Sequence, residues 1–180
     1  MRLEYLADRP EFIMPVATWI YQEWPEEFAT VGLDTWLAEF RGTLMRDGIP
    51  TTFVASEGPG LLGTASLIPS DLPERPDLSP WLASVYVLPR YRRAGIATAL
   101  IGRVLAQASW LGMEQVYLQT ASRVEFYQRL GWVECEQLKL NGRVVTVMSK
   151  NLGLARRTAC LPNRYDSSAS PGTRSPPGAS

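Results

Sequence analysis

The residues best equipped for chemistry stand together in one stretch, Val85-Tyr86-Val87-Leu88-Pro89-Arg90-Tyr91-Arg92-Arg93-Ala94-Gly95-Ile96-Ala97-Thr98. An apolar run stops at a proline, an arginine-rich turn follows, and a glycine opens a helical pattern. Pro89 cannot donate to a sheet ladder, so the strand ends there. Beyond Gly95 the apolar residues Ile96, Leu100, Val104, Leu105, Ala108 and Leu111 recur at helical spacing. The first N–H groups of a helix have no intrahelical partner and carry partial positive charge. With almost no side chain at Gly95 and Ala97, a bulky anion can reach that bare backbone, and Arg92 and Arg93 add formal charge beside it. This is a phosphate-binding device. A plain strand-to-helix turn with solvated arginines is the alternative. A Walker loop would need a Gly-Lys-Ser/Thr ending, and the dinucleotide fingerprint a Gly-x-Gly-x-x-Gly; neither is present.

The rest of the chemistry is bounded by what the chain lacks. Histidine is absent, which removes Ser-His-Asp and Cys-His catalysis and histidine-based metal sites. Acid–base work therefore falls to Tyr, Asp, Glu, Lys or Cys. Cys135 and Cys160 have neither metal-ligand spacing nor the density of a disulfide framework, so a reducing cytoplasm is expected and no metal is. No apolar run approaches the ~20 residues of a membrane helix, and no signal-peptide pattern opens the sequence. The zero net charge hides a division. Residues 1–89 carry thirteen acidic and five basic side chains, net −8, and residues 90–180 carry five acidic and thirteen basic, net +8. A basic half suits a polyphosphate ligand and an acidic half a cationic one, unless the segregation only solvates the surface. Nucleic-acid binding fits poorly, because no helix presents a basic stripe.

These residues need elements to hold them. At 180 residues with 46% hydrophobic content, one packed domain is expected. Arg2–Leu6 reads as a strand. A helix starts at Asp8-Arg9-Pro10 and breaks at Trp24-Pro25, and a second, marked by Leu33, Trp36, Leu37 and Phe40, is expected to end near Asp47-Gly48. Strands follow at Thr51–Ser56 and Leu61–Ile68, joined by Glu57-Gly58-Pro59-Gly60. Four prolines in Pro69–Pro80 make a long, stiff loop, and long loops in compact domains are often functional. Trp81–Val87 is the strand that feeds the phosphate device. Past the Gly95–Leu111 helix come a strand at Gln115–Thr120 and a short helix stopped by Gly131. Then Asn141-Gly142, a type I′ signal, joins the strands Trp132–Leu140 and Val144–Met148. The domain is thus 1–150. The remainder, 151–180, reads as a disordered tail, since eleven of its last twenty residues are Pro, Ser or Gly.

The string strand-x-Pro-x-aromatic-Arg-x-x-Gly-Ile-Ala-x-x-Leu resembles the coenzyme A pyrophosphate loop of the GNAT family of N-acetyltransferases. The core of that loop is Arg/Gln-x-x-Gly-x-Gly/Ala, which Arg92, Gly95 and Ala97 match position for position. Phe126-Tyr127-x-x-Leu130-Gly131-Trp132 resembles the family's second motif, and the order β-α-α-β-β-β-α-β-α-β-β is the family's topology. The likeness spans residues 2–150 and is most specific over 85–132. It implies an α/β fold, a mixed sheet of about seven strands flanked by about four helices. It also implies acetyl-CoA as co-substrate and transfer of its acetyl group to a primary amine by direct attack.

Carried over position by position, the likeness makes Arg92, Arg93, Ala94, Gly95, Ile96, Ala97 and Thr98 the pyrophosphate cradle. It has the pantetheine arm pair with the open edge at Val85, Tyr86 and Val87, the Val87 N–H polarising the thioester carbonyl. Tyr127 becomes the general acid. Phenol and thiol have reference pKa values of about 10 and about 8.5, close enough for proton donation to a departing thiolate. An ordinary half-buried tyrosine is the alternative, and Phe126 beside it is expected to pack. Thr120 and Arg123 depart from the frequent asparagine and alanine, which puts one contact to the cofactor arm in question. The base is not legible: Glu23, Asp71, Glu74 and Asp77 are candidates by charge and family location, Glu23 and Asp71 being placed in the catalytic set, while Glu26 and Glu27 are read as solvated. The family sets two helices over the acceptor pocket, where Trp19, Trp24 and Trp36 could line it, with packing expected for at least two. The expected partner is a small-molecule or peptide amine, cationic given the acidic half, with no nucleic acid or membrane, and a homodimer left open. A catalytically silent acyl-CoA-binding regulatory module of the same fold is the alternative.

Overall fold

The computed structural model describes residues 1–153, apart from 27, 43 and 141. Its order is β1 (Arg2–Tyr5), α1 (Pro10–Glu23), α2 (Leu33–Gly42), β2 (Thr51–Glu57), β3 (Gly60–Ile68), β4 (Trp81–Val87), α3 (Ile96–Trp110), β5 (Gln115–Thr120), α4 (Val124–Arg129), β6 (Val133–Leu140) and β7 (Arg143–Asn151), with short 3₁₀ turns at Leu6–Asp8 and Pro89–Tyr91. The mixed α/β architecture read from the sequence is present: one seven-stranded sheet and four helices.

The sheet runs β1-β2-β3-β4-β5-β7-β6 and is antiparallel except where β4 meets β5. Alternation along its strands sorts side chains to two faces. Phe53, Ala55, Leu62, Val116 and Leu118 face α3, which seats Leu100, Ile101, Val104 and Ala108 on them. Val54 and Leu61 face the other way, under Phe12, Val16 and Ile20 of α1 and Leu37 and Phe40 of α2. Truncating a fully buried leucine such as Leu100 in such a core costs about 2–5 kcal/mol. Further along that second face, among the described residues, the cluster on the sheet contains no helical residue. There the 69–80 loop inserts Leu72 against Trp81 and Val147. One face is therefore roofed by α3 and α4, and the other is shared by the α1–α2 pair and the proline-rich loop.

Two boundaries differ from the sequence reading by more than one residue. Helix α2 stops at Gly42 rather than near Asp47-Gly48. The following segment is held by tertiary bonds: the buried Gln107 of α3 donates to the Arg46 carbonyl at 2.7 Å, and the Arg46 side chain bonds Asp8 at 2.9 Å. Strand β7 runs to Asn151, past the expected end at Met148, because its pairing with β5 continues to Gln115↔Asn151. The tail reading falls, from residue 154 on, outside the described residues. Among the described residues no helix is long and apolar enough to cross a membrane.

Candidate active site

The phosphate device folds as its residues dictate. Arg93 and Gly95 both take left-handed backbone, φ +66° and +77°, so the chain turns twice within three residues before α3 begins. The first intrahelical bond is Ala99 N–H to Gly95 carbonyl, at 3.0 Å, and no side chain caps the helix start. The N–H groups of the first turn are thus left to whatever lies in the recess formed by Val87, Tyr91, Arg92, Arg93, Gly95, Ile96, Ala97, Thr98 and Phe126. A Cβ added at Gly95 would meet no protein atom within 4 Å, so a side chain there projects into open space beside the bare amides. Uncapped donors, a positive helix end and exposed arginines suit a pyrophosphate. Phe126, expected only to pack, both packs against the core and forms part of this recess.

Beside the cradle the sheet opens. β4 and β5 pair in register only at Trp81↔Tyr117 and diverge after it. The cause is visible in β4: its register with β3 jumps between Ser66↔Ala83 and Thr64↔Tyr86, and Ser84 sits at φ +53°. Such a bulge bends the strand that carries it. Gly63↔Val87 is a non-hydrogen-bonded pair, since the adjacent bond runs from Leu88 N–H to the Leu62 carbonyl at 3.0 Å. Val87 therefore turns both its polar backbone groups away from β3 and into the splay. Its carbonyl accepts Arg92 Nε–H at 2.9 Å, which leaves its N–H at the mouth of the cleft. Arg92 thus holds the strand end in addition to lending charge. Gly63 permits this approach, because a Cβ there would lie 2.7 Å from the Tyr86 carbonyl oxygen.

Two titratable groups lie on opposite faces of the sheet near β5, close enough for the Asp71 charge to bear on Tyr127. Tyr127 comes from α4 on the α3 side, is 9% exposed, and meets Phe126 and Trp132 edge-on. Burial pushes its phenol up to about 12, with Arg123 opposing and Asp71 adding to the rise. Asp71 comes from the 69–80 loop. Gln119 shares the Tyr117 side of β5 by alternation, opposite Val116 and Leu118, and its Nε2 donates to the Asp71 carbonyl at 3.4 Å. Asp71 thus stands on the α1–α2 side. Burial lifts its carboxyl to about 6, the Gln119 amide offsetting only part of that. One group stays protonated across the neutral range and the other is ionised above about pH 6, the separation that acid and base roles require.

The remaining candidates are not gathered here. Glu23 is exposed at the end of α1, and Glu74 is exposed in its loop. Asp77 is taken up by Arg75, at 2.8 Å. Thr120 closes the β5–α4 turn by accepting the Arg123 N–H at 3.1 Å, which occupies the side chain that departs from the family pattern. Glu26, on the other hand, pairs with Arg143 at 2.7 Å while both stay exposed. Of the tryptophans, Trp36 bonds the Ala17 carbonyl at 3.2 Å and packs with Phe28 and Phe40, and Trp24 packs against the same cluster. Trp19 lies against Tyr86, ring centres 5.3 Å apart, and so walls the open edge on the α1 side. Gln119 was missed by sequence reasoning; its only signal was a polar residue at the last outward position of an alternating strand.

A model of the acetyltransferase (GNAT) domain matches residues 49–134, a segment that contains the cradle, Asp71, Gln119 and Tyr127. Among curated proteins none matches the sequence. The fold is similar to that of an aminoglycoside 6′-N-acetyltransferase solved with coenzyme A, at a TM-score of 0.67 and 19% identity over 84% of this chain and 97% of that one. It is similar also to yncA of Salmonella typhimurium, solved with acetyl-CoA, at a TM-score of 0.66 and 20% identity over 88% and 98%. A spermidine N-acetyltransferase chimera from Vibrio cholerae gives 0.63 and 21% over 84% and 96%. Residues 49–134 thus match the GNAT acetyltransferase domain, and the fold is that of GNAT acetyltransferases of known structure.

Proposed function

We propose that residues 1–150 form an acetyl-CoA-dependent N-acetyltransferase that acts on a cationic primary amine by direct attack. The observation that carries this reading is the Val87 N–H, turned into a splay with an uncapped helix start beside it and two titratable groups of separated pKa near β5. Acetyl-CoA would supply an activated acetyl thioester, and the cradle fits its pyrophosphate. The N–H groups of Gly95–Thr98 receive the phosphate oxygens, with Arg92, Arg93 and Ala94 forming the turn that presents them. The strand edge Val85–Val87 aligns the pantetheine arm, and the Val87 N–H donates to the thioester carbonyl oxygen as negative charge builds there.

Asp71, on the α1–α2 face, takes the proton that the attacking amine must lose, directly or through water. A carboxyl with a pKa of about 6 is matched to that task near neutrality. Tyr127, on the cofactor face, donates to the sulfur of the departing thiolate. At about 12 its phenol is a weaker acid than the thiol it faces, so its part is a hydrogen bond to the sulfur that strengthens as charge develops, and the departing thiolate takes its proton from water. Glu23 is the second candidate base, through a water relay. Aminoglycoside and spermidine acetyltransferases of this fold, together with the acidic first half of this chain, support an amine that carries positive charge. Glu74 and Asp71 are the loop carboxylates left for it, since Asp77 is paired.

A thiol-release assay with acetyl-CoA and a panel of amines tests the reading. Free coenzyme A should form fastest with polyamines and basic amines. No release with any amine, alongside measurable acetyl-CoA binding, would make the chain a silent acyl-CoA-binding module instead.

A further inference from the structure

The 69–80 loop carries no helix or strand, yet it is held by several packing contacts and hydrogen bonds. Leu72 is 2% exposed, packed between Trp81 and Val147. One turn closes from the Arg75 N–H to the Leu72 carbonyl at 3.0 Å, and a second from the Leu78 N–H to the Arg75 carbonyl at 3.2 Å. The Trp81 indole then donates to the Leu78 carbonyl at 2.7 Å. Arg75 sits where the two turns join. Its guanidinium, about a quarter exposed, bonds Asp77 at 2.8–2.9 Å and reaches across to Glu136 on β6. The acetyl-transfer reading gives Arg75 no role.

We propose that Arg75 is a positioning residue: by pinning the proline-rich loop to β6 through Glu136, it holds the half-buried Asp71 beside Gln119 and limits its access to water. The inference rests on Asp71 being the base of the proposed reaction. Leu72 fixes the position of the loop, but a single apolar anchor leaves the flanking residues free to tilt. A second tether on the adjacent turn removes that freedom.

The sign of one effect separates this role from its rival. Acting as a nearby positive charge, Arg75 would favour the carboxylate, and its removal would raise the Asp71 pKa. Acting as a latch, it keeps the carboxyl desolvated, and its removal admits water and lowers the pKa. The groups around Asp71 favour the latch. Gln119 of β5 offers a neutral amide, Tyr127 of α4 a neutral phenol that itself feels Arg123, Glu74 of the same loop is exposed, and the charge of Arg75 is spent on Asp77 and Glu136.

The test is a carbon-13 NMR titration of the Asp71 carboxyl in the unliganded full chain, beside the pH profile of kcat/KM with an amine acceptor. Arg75→Gln is expected to lower the Asp71 midpoint from about 6 by about one unit or more. The acid limb of kcat/KM should move with it, and the acetyl-CoA KM should stay within about twofold. The exchange Arg75→Glu with Glu136→Arg, which re-forms the tether with reversed charges, should return the midpoint. A midpoint that stays put while the melting temperature falls would leave Arg75 a merely structural residue, and a midpoint that rises would make it a charge effect; either overturns the proposal. If Arg75→Gln does not fold, Arg75→Lys keeps the charge but loses the two-pronged grip, and an unshifted midpoint there overturns it equally. Asp71→Asn isolates the underlying assumption: an acid limb that survives it refutes Asp71 as the base, whatever the titration says of the latch.

Discussion

The cradle at Val87–Thr98 and the acid–base pair at Asp71 and Tyr127 are built on opposite principles. The cradle is local: twelve consecutive residues, acting mainly through backbone N–H groups whose direction follows from a proline stop, two left-handed residues and a helix start. The pair is assembled from a loop and a short helix far apart in sequence, brought to opposite faces of the sheet near β5. Backbone donors tolerate many side chains but no change of path. Titratable side chains tolerate changes of path only while their burial survives. The two regions should therefore fail in different ways.

The largest expected failure is at Tyr127. Tyr127→Phe keeps the ring and its edge contacts, so turnover should fall by roughly 10²–10⁴ with acetyl-CoA affinity retained. Single-turnover kinetics would check this, and undiminished chemistry would return Tyr127 to a packing role.

Asp71→Asn should cost somewhat less, roughly 10²-fold in turnover above pH 6, and should remove the acid limb, which Glu23→Gln should leave in place if Asp71 is the base. It should also stabilise the fold. The folded pKa of Asp71 is raised to about 6 against an unfolded value near 3.9, so its contribution is fully present below about pH 4 and is lost as pH rises to about 6. A neutral amide avoids that loss, worth at most about 2–3 kcal/mol at pH 7. Denaturant titrations at pH 4 and pH 7 would show it, and equal stability of the two proteins at both pH values would mean the carboxyl is not desolvated.

The cradle should break by path rather than by charge. Gly95→Val forces a branched side chain onto φ +77° and into the anion's approach, and should weaken acetyl-CoA binding by roughly 10–100-fold. Arg92→Ala, which removes one charge and the support of the Val87 carbonyl, should weaken it by about tenfold or less. Calorimetry on the folded variants orders them, and unchanged affinity in Gly95→Val would refute the cradle.

The smallest effect joins the two regions. Gly63→Ala places a Cβ 2.7 Å from the Tyr86 carbonyl and should cost about 1–3 kcal/mol of stability by pushing β4 away from β3. Turnover should then fall more than acetyl-CoA affinity, because the Val87 N–H moves while the helix start does not. A parallel loss of both would mean the strand edge and the cradle shift as one body.

The sequence by itself determined what local chemistry can determine. Pro89, Gly95 and the apolar spacing from Ile96 to Leu111 specify strand stop, turn and helix without reference to the rest of the chain, and the structure has each where those residues put it. Helix ends and side-chain partners were decided by tertiary structure. Helix α2 stops at Gly42, and the segment beyond it is tied by Gln107, sixty-one residues on from Arg46, to the Arg46 carbonyl. Asp71, Glu74 and Asp77 looked alike as loop carboxylates. Asp77 pairs with Arg75, two residues before it, but only folding left Glu74 in water and half-buried Asp71 beside Gln119. The physical reason is that a backbone dihedral or a missing Cβ is a property of the residue itself, whereas desolvation and long-range hydrogen bonds depend on neighbours that the chain supplies only once the sheet has formed.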